Sequence, residues 1–268
     1  MQVKAIIADS DGTLVDTVDL IRRGQYETLK TYLTQREIPS SQVPDYENFL
    51  AALHASIGGS ARNTLEKTAK LLFQNTPDVL KVFDYDVLHD LLNPVQDKLA
   101  PAYVRPYEGL AELLQFLGDN HISFAIFTSG TKHHVVRNLG IALPELGLSH
   151  LFQDVRQNED EKLNLFVSRL KDFFHLPDFV IVTCEVVHTH KPDPGSLFYA
   201  MNELAVEPKN SLVLGDHAVD MQAGTNAQVP YRIGISHGFH DDESLLGAGA
   251  THVIHSLTEL VDMLQSKV

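Results

Sequence analysis

Residues 3–13 read Val3-Lys4-Ala5-Ile6-Ile7-Ala8-Asp9-Ser10-Asp11-Gly12-Thr13. The near-continuous apolar run from Val3 to Ala8 reads as a strand covered on both faces, and it ends in an acidic, glycine-containing turn. Runs of the same kind recur at Ser123 to Phe127, Phe179 to Val182, Ser211 to Leu214 and Tyr231 to Ile235. Between most of them the apolar residues have helical spacing, as at Leu110, Leu113, Leu114 and Leu117, or at Leu197, Ala200, Met201 and Leu204. Strand alternating with helix predicts an α/β fold: a Rossmann-like parallel sheet with helices on both faces.

Thr17 to about Val104 departs from this rhythm, because no strand is legible there. Val18, Ile21, Leu29, Tyr32 and Leu33 fit a first helix. Tyr46, Phe49, Leu50, Leu53 and Ile57 give an amphipathic stripe, as do Leu65, Ala69, Leu72 and Phe73, and then Leu80, Phe83, Val87 and Leu91. The expected organisation is an α/β core of residues 1–16 and 105–268 carrying an inserted all-helical domain of residues 17–104. The joints fall at Asp16 to Thr17 and at Tyr103 to Gly109, where Pro106 and Gly109 punctuate the return.

Composition narrows the function. The 268 residues hold 21 Lys+Arg against 35 Asp+Glu, a net charge of −14, and 44% are apolar. An overall negative field argues against sequence-independent binding to nucleic acid or to an anionic membrane. It leaves room for a small anionic substrate, which responds to a local metal, lysine or helix N-terminus. The single cysteine, Cys184, excludes an intrachain disulfide and a multi-thiolate metal site, and reads as buried packing. No apolar run approaches the roughly 20 residues that cross a bilayer, and the first is too short for a secretory segment, so a cytoplasmic location is expected. No oligomeric state follows.

Ligands of open parallel sheets bind beyond the carboxyl ends of the strands. The first strand ends in Asp9 and Asp11, whose two carboxylates can face one pocket, where holding both ionised requires a cation. Alone, such a tract is equally a calcium loop or a turn, although the other ligands of an EF-hand loop are absent. The second ends in Thr128-Ser129-Gly130, a hydroxyl and backbone N–H groups that form either an anion nest or an ordinary N-cap. Lys191 follows the third strand on a loop stiffened by Pro192, with Asp193 as N-cap and Pro194 as first helical residue; the plain alternative is a solvated lysine. The fourth ends in Gly215-Asp216-His217-Ala218-Val219-Asp220, where a helix starting at once would place Asp216 and Asp220 one turn apart. First-turn acids favoured by the helix dipole are the alternative.

Taken together, this ordered set resembles the haloacid dehalogenase superfamily, specifically its phosphatase branch with a helical cap after the first motif, as in phosphoglycolate phosphatase and beta-phosphoglucomutase. Asp9 and Asp11 match the first motif, Thr128 the second, Lys191 the third, and Gly215, Asp216 and Asp220 the fourth. The resemblance implies that Asp9 is the nucleophile, Asp11 the general acid/base, and Thr128 and Lys191 catalytic partners. It also implies that Mg2+ is held by Asp9, Asp216 and Asp220 with the Asp11 carbonyl, and that Ser129 and Gly130 bind substrate. The implied function is Mg-dependent hydrolysis of a small phosphorylated metabolite through an aspartyl-phosphate. A phosphomutase of the beta-phosphoglucomutase type, or a quiescent binding member, are the alternatives. An aspartate at position 11 argues against carbon–halogen cleavage, since the superfamily's dehalogenases lack it.

Ser10 and His217 depart from the family pattern and bear on substrate identity. The fourteen histidines are scattered and read as solvated or locally bonded; His217, beside Asp216, is the one placed at the rim. Gly58-Gly59-Ser60 and Arg62 read as a cap loop, with Arg62 a candidate for binding a substrate anion. Glu159 to Leu176 reads as an added helix without a function.

Overall fold

The computed structural model describes residues 3–56 and 61–266. The chain divides into two units, Met1–Thr17 with Val104–Val268, and Val18–Tyr103. In the first, the strands are β1 (Ala5–Ala8), β2 (Val15–Asp16), β3 (Arg105–Pro106), β4 (Ser123–Phe127), β5 (Phe179–Val182), β6 (Ser211–Gly215), β7 (Tyr231–Ile235) and β8 (His252–Ile254). Six of them form one sheet in the order β5-β4-β1-β6-β7-β8, and every pairing is parallel. Numbered among themselves these strands run 3-2-1-4-5-6, the doubly wound order, so the direction of winding reverses between β1 and β6.

Burial explains the uninterrupted apolar runs. Every residue of β1, β4 and β6 is buried, because helices cover both faces of the sheet. Ala5, Ile7, Ala125, Phe127 and Val213 pack with Leu197, Ala200, Met201 and Met221 into one apolar cluster. The helix Glu159–Phe174, capped by Asn158 and Glu161, lies on the connection between β4 and β5. Two strand features lay below the reach of sequence pattern. β8 has only three residues, one of them the exposed His252, at the sheet edge. β2 and β3 pair over two residues each, Val15 with Pro106 and Asp16 with Arg105, and so join the two expected domain joints.

The second unit contains the helices Val18–Gln35, Tyr46–His54, Ala61–Leu72, Pro77–Leu80, Tyr85–Asp90 and Leu92–Tyr103. Leu29, Leu33, Phe49, Leu53, Leu65, Phe73 and Leu88 form its core. The stripe from Leu80 to Leu91 is not one helix: the chain breaks after Leu80 and restarts at Tyr85. Asp84 caps the restart by accepting from the N–H groups of Asp86 and Val87. The Tyr32 hydroxyl serves the break, donating to the Val82 carbonyl at 2.8 Å and accepting from the Asp84 N–H. Leu92–Tyr103 is a helix that the sequence did not announce, since Pro94 and Pro101 obscure its period. Among the described residues, no helix is long and apolar enough to cross a membrane.

Candidate active site

Register brings the strand ends level. Ala8 lies opposite Ile126 on one side and Leu214 on the other, so Asp9 leaves the sheet between Phe127 and Gly215. The Asp9 N–H donates to the Leu214 carbonyl at 2.9 Å, and the Thr128 N–H to the Val182 carbonyl at 2.9 Å. The site therefore sits beside the reversal of winding, where a doubly wound sheet opens a crevice.

After Asp9 the chain folds back on itself. The Ser10 carbonyl accepts from the N–H groups of Leu14 and Val15, and the Gly12 N–H donates to the Val15 carbonyl at 2.9 Å. Gly12 sits at φ +86°, and a Cβ there would lie 2.4 Å from Asp216 Oδ2, so only glycine serves this turn. The turn also delivers Thr13, whose hydroxyl donates to Asp216 Oδ1 at 2.9 Å. Ser10 is fully buried, and its hydroxyl has no hydrogen-bond partner among the described residues.

Three carboxylates converge below this turn. Asp9, Asp216 and Asp220 are all buried, and each offers an oxygen within 4.8 Å of the others. Lys191 Nζ is 2.5 Å from Asp9 Oδ1 and 2.7 Å from Asp220 Oδ1, and it lies 3.8 Å from the centre of the Phe127 ring. Its side chain is only 6% exposed, which rules out the solvated-lysine alternative. Burial pushes the Asp9 carboxyl well up; Lys191 opposes this, while Asp220 and Asp216 add to it. Burial likewise pushes Asp216 up to about 7, reinforced by Asp220 and resisted by the Phe239 N–H and Thr13. Burial works against the charge on Lys191, yet the Asp220 and Asp9 carboxylates outweigh it and raise the ammonium. Three acids facing one ammonium leave an uncompensated negative charge in a buried crevice. A hard divalent cation with oxygen ligands fits such a donor set, and the three aspartates can hold one.

The carboxylate of Asp11 is turned elsewhere and does not join those three; its backbone carbonyl is the group expected at the metal. Its Oδ1 accepts from Asn138 Nδ2 at 2.8 Å. Burial raises its carboxyl, resisted by hydrogen bonding from Thr17 and Asn138 and by the charges of Arg137 and Lys191. The second-motif loop adjoins it: a Cβ on Gly130 would lie 3.6 Å from Asp11 Oδ2 and 3.2 Å from Thr128 Oγ1. Thr128 Oγ1 accepts from the Gly130 N–H at 2.9 Å, and Ser129 is exposed. Thr128 is not the N-cap of the following helix, Lys132–Ala142; Thr131 takes that role in a capping box with His134.

Other expectations shift by a residue or more. The helix after Lys191 is Gly195–Glu203 with Pro194 as its N-cap residue, while Asp193 Oδ1 accepts from the Gly195 N–H. Asp216 stands before the helix Ala218–Asn226 rather than on it, because His217 is the N-cap and accepts from the Val219 N–H. Asp220 Oδ2 closes that capping box by accepting from the His217 N–H at 3.1 Å. Burial, with His240 adding, lowers the His217 imidazole to about 4. Arg62 lies in the second unit at the start of the helix Ala61–Leu72 and pairs with Asp86. Gly58, Gly59 and Ser60 lie outside the described residues. Cys184 is half-buried, not fully packed.

Sequence reasoning missed a fifth strand end. Ser236 to His240, after β7, covers Asp216: the Phe239 N–H donates to Asp216 Oδ2 at 2.8 Å. A Cβ at Gly238 would lie 2.1 Å from that oxygen and 2.4 Å from the Gly12 carbonyl, so the backbone must approach bare. His237 Nε2 lies 3.1 Å from the Thr13 carbonyl and its ring stacks on Tyr107 at 3.4 Å. The glycine-containing polar stretch directly after the Tyr231 to Ile235 run was the available signal. Arg137 and Asn138, both buried, gave none, since polar residues on a helix look exposed until the packing is known.

A family model of the haloacid dehalogenase-like hydrolases matches residues 3–228. The chain belongs to that family. It is an enzyme, a hydrolase, and it keeps company with curated relatives at low identity. Pyrophosphatase PpaX of Halalkalibacterium halodurans is 24% identical over 268 residues, all of this chain and 99% of the relative. Pyrophosphatase PpaX of Bacillus cereus is 26% identical over 227 residues, 85% of this hydrolase and 81% of the relative. Among solved structures, a predicted phosphoglycolate phosphatase from Haemophilus somnus superposes with a TM-score of 0.70 at 17% identity, covering 99% of each chain. At that identity the likeness concerns the fold.

Proposed function

We propose that this hydrolase is a Mg2+-dependent phosphatase that cleaves a small phosphorylated metabolite through an aspartyl-phosphate on Asp9. The carrying observation is the buried contact of Lys191 with both Asp9 and Asp220, with Asp216 completing the acid cluster. Asp9, Asp216 and Asp220 would hold the metal. When bound, it supplies positive charge against the phosphoryl oxygens and the nucleophile. Asp9 attacks phosphorus, an approach of anion to anion that Lys191 supports from its fixed position. The Thr128 hydroxyl, which accepts from the Gly130 N–H and keeps its own proton to donate, would bind a phosphoryl oxygen together with the Ser129 N–H. Asp11, raised by burial, gives its proton to the departing oxygen and recovers one from the water that hydrolyses the phosphoenzyme.

The helical unit, residues 18–103, is read by family resemblance as the part that selects substrate, and the location is read as cytoplasmic. Sugar phosphates and phosphoglycolate are candidate substrates, and the relatives' name adds pyrophosphate. The test is turnover of p-nitrophenyl phosphate and of a metabolite set, with and without Mg2+. Asp9→Asn is expected to retain its circular dichroism spectrum and to lose turnover and acid-stable phosphate incorporation. Undiminished turnover in that variant removes the assignment.

A further inference from the structure

The proton carried by Asp11 needs a defined place, and the surroundings of its carboxyl supply one. Oδ1 is occupied, accepting from Asn138 Nδ2 at 2.8 Å. The Asn138 amide oxygen in turn accepts from Arg137 Nε at 2.9 Å. A guanidinium has donors only, so it claims the amide oxygen and leaves the NH2 end no orientation except toward Asp11. Arg137 and Asn138 are 1% and 2% exposed, on a helix whose other inward residues include Val135, Val136 and Leu139. Apolar side chains would fill those places without the desolvation that a guanidinium and a carboxamide incur. Packing alone does not account for the pair.

Resting on the reading of Asp11 given above, we propose that Arg137 and Asn138 are positioning residues that fix the Asp11 carboxyl plane and make Oδ2 the oxygen that exchanges the proton. With Oδ1 taken by Asn138, the other oxygen, Oδ2, faces the Thr128–Gly130 loop, 3.6 Å from where a Gly130 Cβ would stand. In the first step a carboxylate oxygen of Asp9 bonds to phosphorus, the bond from phosphorus to the leaving oxygen breaks, and the proton on Asp11 Oδ2 passes to that oxygen. In the second, water oxygen bonds to phosphorus, the bond to Asp9 breaks, and a water proton returns to Asp11 Oδ2. The balance is one water consumed, with alcohol and inorganic phosphate released.

Leaving-group dependence tests this. An alkoxide departs poorly without a proton, whereas p-nitrophenolate departs readily. The variants are Asn138→Ala and the double variant Arg137→Met with Asn138→Leu, which replaces both polar groups with apolar ones of similar size. Each is compared with wild type and with Asp11→Asn on p-nitrophenyl phosphate and on a series of alkyl phosphates, with Mg2+. The expected result is a loss of ~100-fold in kcat on alkyl phosphates, under ~10-fold on the aryl ester, and little change in KM. A uniform loss on both substrate types, or none, overturns the proposal. So does failure of both variants to fold, which would make the pair a stabiliser of the core. If Asp11→Asn itself shows no such selectivity, the assignment of Asp11 falls instead; selectivity there without it at Asn138 refutes the positioning role alone.

Discussion

Lys191→Met removes the ammonium that faces the buried acids and keeps most of the side-chain volume. In the wild type that ammonium lies 2.5 Å from Asp9 and 2.7 Å from Asp220, with its side chain 6% exposed. The variant must then either bury a further naked carboxylate or bind a proton. Binding one is the cheaper course. At pH 7 neutralising an acid whose unfolded-state pKa is about 3.9 costs about 1.36 × (7 − 3.9), or about 4 kcal/mol, and about 1.5 kcal/mol at pH 5. This agrees with the 3–5 kcal/mol typical of breaking a buried pair by removing one partner. The folded variant holds one more proton than its unfolded chain, so its deficit relative to wild type grows with pH by about 1.4 kcal/mol per unit. Urea titrations in the presence of a chelator, at pH 5, 6 and 7, measure this. Because the chain has no tryptophan, circular dichroism is the suitable signal. With m about 3 kcal/mol per M, the midpoint at pH 7 falls by more than about 1 M. A deficit below about 1 kcal/mol that does not change with pH would mean that Lys191 is a solvated lysine and that the charge cluster has been misread.

Two further substitutions separate the site from the scaffold. Thr13→Val removes the hydroxyl that donates to Asp216 Oδ1 and nothing else of similar polarity; Mg2+ affinity, from the metal dependence of turnover or from calorimetry, is expected to weaken by ~10-fold to ~100-fold. An unchanged affinity would exclude Asp216 as a ligand oriented by that turn. Tyr32→Phe strips the hydroxyl that serves both the Val82 carbonyl and the Asp84 N–H at the helix break; a loss of about 1–3 kcal/mol in thermal or urea unfolding is expected. A wild-type melting curve would show that water serves those groups as well as the phenol does.

What the sequence made legible was whatever burial on both sides imposes. Ala5-Ile6-Ile7-Ala8 and Ser123-Phe124-Ala125-Ile126-Phe127 stand out because no position on either strand meets water, and the acidic turn after the first is conspicuous by contrast. Lys191 was legible only as a member of a series: its loop reveals nothing of the two carboxylates, which come from positions 9 and 220. The helix starts were misplaced where an unusual group does the capping. His217 accepts the Val219 N–H as the N-cap, so the helix starts after Asp216 rather than including it, and Asp216 is free to join the cluster. The break between Leu80 and Tyr85 was invisible because it depends on a tyrosine hydroxyl about fifty positions earlier in the chain. The contribution of Ser236 to His240 depends on a carbonyl and an N–H, groups that every residue carries, and only Gly238 leaves a trace of it.

The net charge of −14 and an anionic substrate are in tension unless the site reverses the sign of the field locally. Lys191 cannot do this alone, since Asp9, Asp216 and Asp220 outnumber it three to one within a few ångströms. Protonation could discharge the acids, and burial does push Asp9 and Asp216 that way, but a protonated Asp9 would be no nucleophile. A divalent cation held by Asp9, Asp216 and Asp220 would resolve both difficulties together, favouring the ionised acids over their protonated forms and making the mouth of the crevice attractive to phosphate. On this account the raised carboxyls are the consequence of a cluster shaped for a charge of +2. Adding Mg2+ to the metal-free protein should therefore release protons, more of them near pH 7 than near pH 8, where fewer remain bound.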